Sequence, residues 1–264
     1  MTALDDEDGD PTDALSSAPA AARRWEAPGV GRVKFFHGPM DCGKSTLALQ
    51  IDHNLARQGR QGLSLVRHDR SGLPRISSRI GIARRAVELG SDTDVRAVVR
   101  RAWERGRGVD YVVVDEAQFL SPAQVEQLAE LADDAGVDGY CFGIATDFRG
   151  ELFPGARRLV ELADEVEPVQ VEVLCWCGRA GRFNARVADG VVLRTGETVV
   201  VADTVPGQEV GPSDAPLSAG EVNSGPTHAP RETTTVRYQV LCRRHFRLGE
   251  VGPDASGPGQ LQLT

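Results

Sequence analysis

The chain has 264 residues and a formal net charge of −8 at pH 7, enough length for one sizeable core and a small appendage. Six of its acids, Asp5, Asp6, Glu7, Asp8, Asp10 and Asp13, fall in the first thirteen positions, which leaves about −2 for the rest and argues against non-specific binding to nucleic acid. No apolar run approaches the ~18 residues of a membrane span, and acids stand where a signal peptide would carry basic residues, so the expectation is a cytoplasmic protein with neither membrane nor nucleic acid as partner.

Residues 1–30 are rich in Ala, Asp, Ser and Pro and poor in large apolar residues, which predicts a disordered acidic tail. Over 31–172, short apolar runs alternate with amphipathic segments, the pattern of an α/β domain with a mainly parallel sheet. Strand Val33–Phe36 leads into Gly38, Pro39, Met40, Asp41, Cys42, Gly43, Lys44, Ser45 and Thr46, and a helix over Lys44–Gln58 follows. This is the G-x-x-x-x-G-K-[ST] phosphate loop in its required setting, strand before and helix after. Its glycines let successive N–H groups turn inward around phosphates, and the helix adds the positive end of its dipole. Lys44 then meets the β- and γ-phosphates of a nucleoside triphosphate, and the Ser45 hydroxyl is placed to ligate Mg²⁺.

A strand at Leu63–Val66 precedes an Arg-rich stretch, His68-Asp69-Arg70 through Ile76–Gly81, that suits either a mobile loop beside phosphates or a plain solvated loop. Val95–Glu104 reads as a helix with Val95, Val98, Val99 and Ala102 on one face. The run Tyr111–Val114 predicts a strand buried on both faces, with Asp115 and Glu116 emerging at the carboxyl edge, where open α/β sheets bind ligands. With the upstream loop this is a Walker-B arrangement, Asp115 holding Mg²⁺ through water and Glu116 free for another task. A helix at Pro122–Ala135 and a strand at Tyr140–Ile144 follow, then Ala145–Phe153. There Phe148 and Phe153 either sandwich a planar base or pack in the core. A helix at Arg157–Asp164 and a strand at Val166–Leu174 complete this part.

Five cysteines are present, and in a reducing compartment a disulfide framework is not expected. Cys175 with Cys177, and Cys242 with His245, form two clusters sixty-four residues apart, each offering two ligands within one turn of chain. A Cys₃His set closes a tetrahedral shell, so the reading is structural Zn²⁺ across 173–248. Cys42 and Cys141 have no such grouping and only pack. Between the clusters, Arg182–Thr198 predicts a hairpin turning at Ala188-Asp189-Gly190, with strands at Val191–Leu193 and Val199–Val201. Residues 203–234 form a polar, Pro- and Gly-rich insertion, and 249–264 a second disordered tail.

Taken in order, GPMDCGKST, ISSRIG, DEAQFL, TDFRGELFPG, CWCGR and RYQVLCRRH resemble the thymidine kinases that pair a P-loop core with a zinc-bearing lasso, over about residues 32–247. The resemblance implies a P-loop NTPase (RecA-like) α/β core with a small zinc-ribbon-like lasso domain. It also implies transfer of the ATP γ-phosphate to the 5′-hydroxyl of thymidine, with deoxyuridine as another acceptor, giving dTMP and ADP in nucleoside salvage. Residue by residue, it makes Glu116 the base, and makes residues 38–46 with Asp115, Glu116, Ala117 and Gln118 the ATP and Mg²⁺ site. Arg70 and Arg79 fall where the family places basic residues near phosphates. Met40, Phe119, Phe148, Phe183, Asn184 and Tyr238 correspond to the thymidine pocket. A homotetramer and dTTP as feedback inhibitor are further implications.

One departure stands out. The family's short Val-Ile-Gly-Gly-like turn before the Arg-Tyr pair is replaced by Val200-Val201-Ala202-Asp203 and about thirty extra residues ahead of Arg237-Tyr238. Without the glycines the tight path of the lasso over the base is in question, because only Gly takes positive φ freely, whereas added loop length costs little. Two other classes fit parts of the pattern: a helicase-like ATPase with a similar acid motif, and a non-catalytic zinc module retaining a nucleotide. The first needs a second similar domain for which there is no room, and the second has no use for Lys44, Ser45, Asp115 and Glu116 together.

Overall fold

The computed structural model describes residues 29–67, 74–78, 81–196 and 236–252. Its main sheet has six strands in the order β5-β2-β6-β7-β1-β8. These are β1 (Val33–His37), β2 (Gly62–Val66), β5 (Val87–Glu88), β6 (Tyr111–Asp115), β7 (Asp138–Gly143) and β8 (Glu165–Pro168), every neighbouring pair parallel. The central strands are apolar on both faces because helices cover both: all five residues of β2 and of β6 are buried. One face packs Val33, Phe35, Leu65, Val112 and Val114 against helices α2 (Val95–Glu104), α3 (Pro122–Ala135) and α4 (Pro154–Leu162). The other packs Phe36, Tyr111, Val113 and Phe142 against α1 (Lys44–Arg57).

Local chemistry sets the helix ends. Asp94 caps α2 by accepting the N–H groups of Arg96 and Ala97 at 2.8 and 3.2 Å. Ser121 and Gln124 form a reciprocal capping box on α3 with Pro122 in its first turn, and Gly136 ends that helix in the left-handed region at φ 63°. Parallel register brings Val66 beside Asp115 and His37 beside Gly143, so the carboxyl ends of β1, β2, β6 and β7 share one edge.

A second, antiparallel sheet of order β10-β9-β11 joins β9 (Phe183–Ala188), β10 (Val191–Val192) and β11 (Val236–Leu241), and α5 (Arg243–Leu248) closes it. Its own small core holds Cys175, Ala185, Val187, Val192, Leu241, Cys242 and Phe246.

Several element boundaries differ from those read in the sequence. Within the Arg-rich stretch taken as loop, Arg75–Ser77 is strand β3, paired antiparallel with β4 (Ala83–Arg85) just beyond that stretch, and Ile76 buries its side chain in the cluster that holds residues of α1 and β6. The strand expected at Val166–Leu174 is β8 alone, and Leu174 instead bridges Ala180 at the base of the cysteine turn. Helix α4 starts at Pro154, three residues earlier than read, since proline suits a first helical turn. The expected hairpin turns at Asp189-Gly190, both at positive φ. The tail through residue 28, Arg70, Arg79, the strand at Val199–Val201, the insertion 203–234 and the tail from 253 lie outside the described residues.

Candidate active site and metal cluster

The phosphate loop leaves β1 at His37 and enters α1 at Lys44, with Asp41 and Gly43 at φ 68° and 79°. A Cβ on Gly38 would stand 2.5 Å from the Cys42 sulfur, so only glycine lets the buried Cys42 side chain pack beneath the turn. Lys44 Nζ folds over the loop, donating to the Gly38 and Pro39 carbonyls at 3.2 and 2.7 Å. Ser45 Oγ donates to Asp115 Oδ2 at 2.8 Å, which joins the first turn of α1 to the end of β6. Burial, then the neighbouring charge of Glu116, pushes the Asp115 carboxyl up to about 6, partly opposed by the Ser45 hydroxyl and the Glu116 N–H. A divalent cation at this pair would favour the ionised form.

Glu116 adopts the left-handed conformation at φ 54° and ψ 37°, turning the chain out of β6 into the 3-10 turn Ala117–Phe119. Its carboxylate accepts the side-chain N–H of Gln118. Ala117 and Gln118, read in the sequence with the nucleotide site, have their side chains in the interior, 0% and 2% exposed. Burial keeps both side chains off the protein surface.

The residues matched to a nucleoside pocket separate into groups. Met40 N–H donates to Asn184 Oδ1 at 2.8 Å, tying the phosphate loop to β9. Tyr238 and Arg186 are a cross-strand pair of β11 and β9, and the Tyr238 hydroxyl accepts from Arg186 Nε and Nη2 at 3.1 and 2.9 Å. The same guanidinium lies 3.9 Å over the Phe148 ring. Phe183 stacks on Phe246 at 4.4 Å within the small core. Phe119 meets Phe153 edge-on at 5.4 Å, and Phe153 belongs to the main core. Of the two readings of Phe148 and Phe153, core packing is the one observed for Phe153, while one face of Phe148 carries Arg186. Sequence reasoning missed Arg186; its one signal was a charged residue in a strand whose other members are apolar apart from Asn184.

Cys175, Cys177, Cys242 and His245 converge, with their ligand atoms all within 4.8 Å of one another. Cys177 Sγ to Cys242 Sγ is 3.9 Å and Cys175 Sγ to His245 Nδ1 is 3.3 Å. Thiolates about 2.3 Å from a tetrahedral centre stand about 3.8 Å apart, so the donor set fits a four-coordinate zinc-type ion. Gly178 at φ 78° turns the first pair, and the second opens α5. There the backbone N–H of His245 holds the Cys242 thiol below its ordinary range. Trp176 stacks on the His245 ring at 4.2 Å, and Glu250 Oε2 faces Nε2 at 3.5 Å, so the ring is oriented with Nδ1 toward the sulfurs.

A parallel sheet with a phosphate loop at its carboxyl edge, and a serine–aspartate pair beside it, defines a P-loop nucleotide-binding α/β protein that carries a Cys₃His cluster. Comparison with known proteins narrows the class. The family described as "Thymidine kinase" matches residues 31–204. Thymidine kinase of Streptomyces coelicolor is 48% identical over 213 residues, covering 81% of this chain and 87% of that protein. The enzymes so named from Streptomyces avermitilis and Cutibacterium acnes are 46% and 45% identical, covering 81% and 84% of this chain and 87% and 91% of theirs. The chain belongs to the thymidine kinase family.

Proposed function

We propose that the protein is a phosphotransferase that moves the ATP γ-phosphate to the 5′-hydroxyl of thymidine, with deoxyuridine as another acceptor. The observation that carries this is the Ser45–Asp115 pair with Glu116 beside it at one sheet edge, in a chain 48% identical to a thymidine kinase. A helicase-like ATPase has no support from that family.

The backbone of 38–45 cradles the phosphates, and Lys44 exchanges its two carbonyl partners for phosphate oxygens. Ser45 and Asp115 would hold Mg²⁺, which would neutralise charge on the phosphates. Glu116 takes the proton of the 5′-hydroxyl as that oxygen bonds to the γ-phosphorus. The bond from phosphorus to the bridging oxygen breaks, and its electron pair leaves with ADP. In-line placement and charge neutralisation supply most of the rate. Met40, Phe119, Phe148, Phe183, Asn184 and Tyr238 form the nucleoside side, and the Cys₃His cluster would hold a structural Zn²⁺ that joins the Cys175–Cys177 turn to the start of α5 within the lasso domain, residues 173–248. The family reading also brings dTTP feedback, a homotetramer and a cytoplasmic location. Among the described residues no helix is long and apolar enough to cross a membrane.

The test is ADP release from Mg-ATP with each nucleoside in turn and single-stranded DNA as a control stimulus. Release that depends on thymidine, with dTMP formed, is expected; release stimulated by DNA alone would overturn the reading. Added dTTP and light scattering on the same sample check inhibition and subunit number.

A further inference from the structure

The Gln118 side chain is buried, yet both ends of its amide are bonded. Its Oε1 accepts the Ile144 N–H at 3.1 Å, at the end of β7, and its Nε2 donates to Glu116 Oε2. The amide has one orientation only: a backbone N–H can only donate, so the oxygen must face Ile144 and the NH₂ must face the carboxylate. Room for it exists because residue 143 is glycine; a Cβ there would stand 2.5 Å from Gln118 Oε1 and 3.0 Å from Gln118 N. Glu116 itself sits in the left-handed region, which for a side chain of this type is uncommon and costs about 1 kcal/mol or more, so the surroundings must hold it.

We infer that Gln118 is the positioning residue for the base: its buried amide, anchored on β7, aims the Glu116 carboxylate at the 5′-hydroxyl and contributes nothing by touching ATP. The inference rests on the base role proposed for Glu116. A flexible glutamate on a turn samples several rotamers, and a general base works only within hydrogen-bond reach of its proton. The amide selects one rotamer in advance, so the chemical step loses efficiency without it while substrate binding does not.

The test is a double-mutant cycle read as separate kcat and KM values. Gln118→Met, close in volume and without a donor, is expected to lower kcat about tenfold or more, with KM for ATP and thymidine within about twofold. In the Glu116→Gln background the same change should alter the residual rate by less than about twofold, since its effect runs through the lost carboxylate. Gly143→Ala crowds the amide oxygen, and with it the backbone N of Gln118, while keeping the amide itself, and should lower kcat with KM for ATP within about twofold, which keeps the test open if Gln118→Met folds poorly. An equal fold loss in both backgrounds, a rise in KM for ATP, or an unchanged kcat would each overturn the positioning role. If Glu116→Gln alone leaves kcat intact, the base reading fails instead, an outcome separate from all of these.

Discussion

Replacing Arg186 with methionine removes a side chain that touches both Tyr238 of the small sheet and Phe148 at the end of the main sheet. Its contacts include two hydrogen bonds to the Tyr238 hydroxyl, at 3.1 and 2.9 Å, and a guanidinium 3.9 Å above the Phe148 ring. A desolvated cation–π contact contributes about 2 kcal/mol and a charged hydrogen bond about 1.5–3 kcal/mol, so at least ~4 kcal/mol of local order depends on this residue. In the variant, Tyr238 and Phe148 are no longer held in one arrangement before the nucleoside arrives, and part of its binding energy goes to re-ordering them. If half of that order must be restored on binding, about 2 kcal/mol, kcat/KM for thymidine falls about 30-fold. The phosphate loop has its own scaffold, so KM for ATP should stay within about twofold. Steady-state kinetics with each substrate varied in turn makes the measurement, and Arg186→Lys, which keeps the charge but not the planar fork, should fall in between. A change in kcat/KM for thymidine below about threefold, or an equal change for ATP, would refute the reasoning.

Three other outcomes follow from single observations. Cys175→Ser is expected to abolish stoichiometric zinc binding and to weaken thymidine binding more than ATP binding; metal analysis finding one zinc per chain in the variant would remove Cys175 from the proposed ligand set. Gly155→Ala puts a Cβ 2.4 Å from the Leu120 carbonyl and 2.9 Å from that of Gln118, both backbone atoms. Helix α4 must then move off the turn that carries Gln118, costing about 1–3 kcal/mol, and a melting point lowered by several degrees, with kcat falling as well, is the expected result. Burial, then the charges of Arg182 and Lys44, hold His37 below the ordinary imidazole value. The unfolded chain therefore takes up a proton from about pH 6.5 downward before the folded one does, so stability is lost as pH falls through that range and is unaffected above it. His37→Gln should flatten the acid side of the melting-point profile, and an unchanged slope there would show that other groups set it.

The phosphate loop, the buried strand that ends in Asp115 and Glu116, and the cluster of three Cys and one His were legible in the sequence because each is encoded locally. Two glycines and a lysine at set spacing, four β-formers before an acid, and paired ligands within one turn each constrain the backbone over only a few residues. The alternation of such segments also implied the parallel sheet. The β3–β4 hairpin was not legible, since its one buried side chain, Ile76, is recognisable only once α1 and β6 supply the surface it covers. Nor were the partners that orient the site. Ser45 reaches Asp115 across seventy residues, Met40 reaches Asn184 across 144, and Gln118 reaches Ile144 across twenty-six. Adjacent in sequence, Ala117 and Gln118 read as members of the nucleotide motif; the left-handed turn at Glu116 sends them inward while the glutamate stays at the edge. Sequence alone determined which chemical groups the chain carries and which short backbone shapes present them. Which groups face each other was decided by the order in which the strands pair, β5-β2-β6-β7-β1-β8, because hydrogen bonds between distant segments exist only after the sheet has closed.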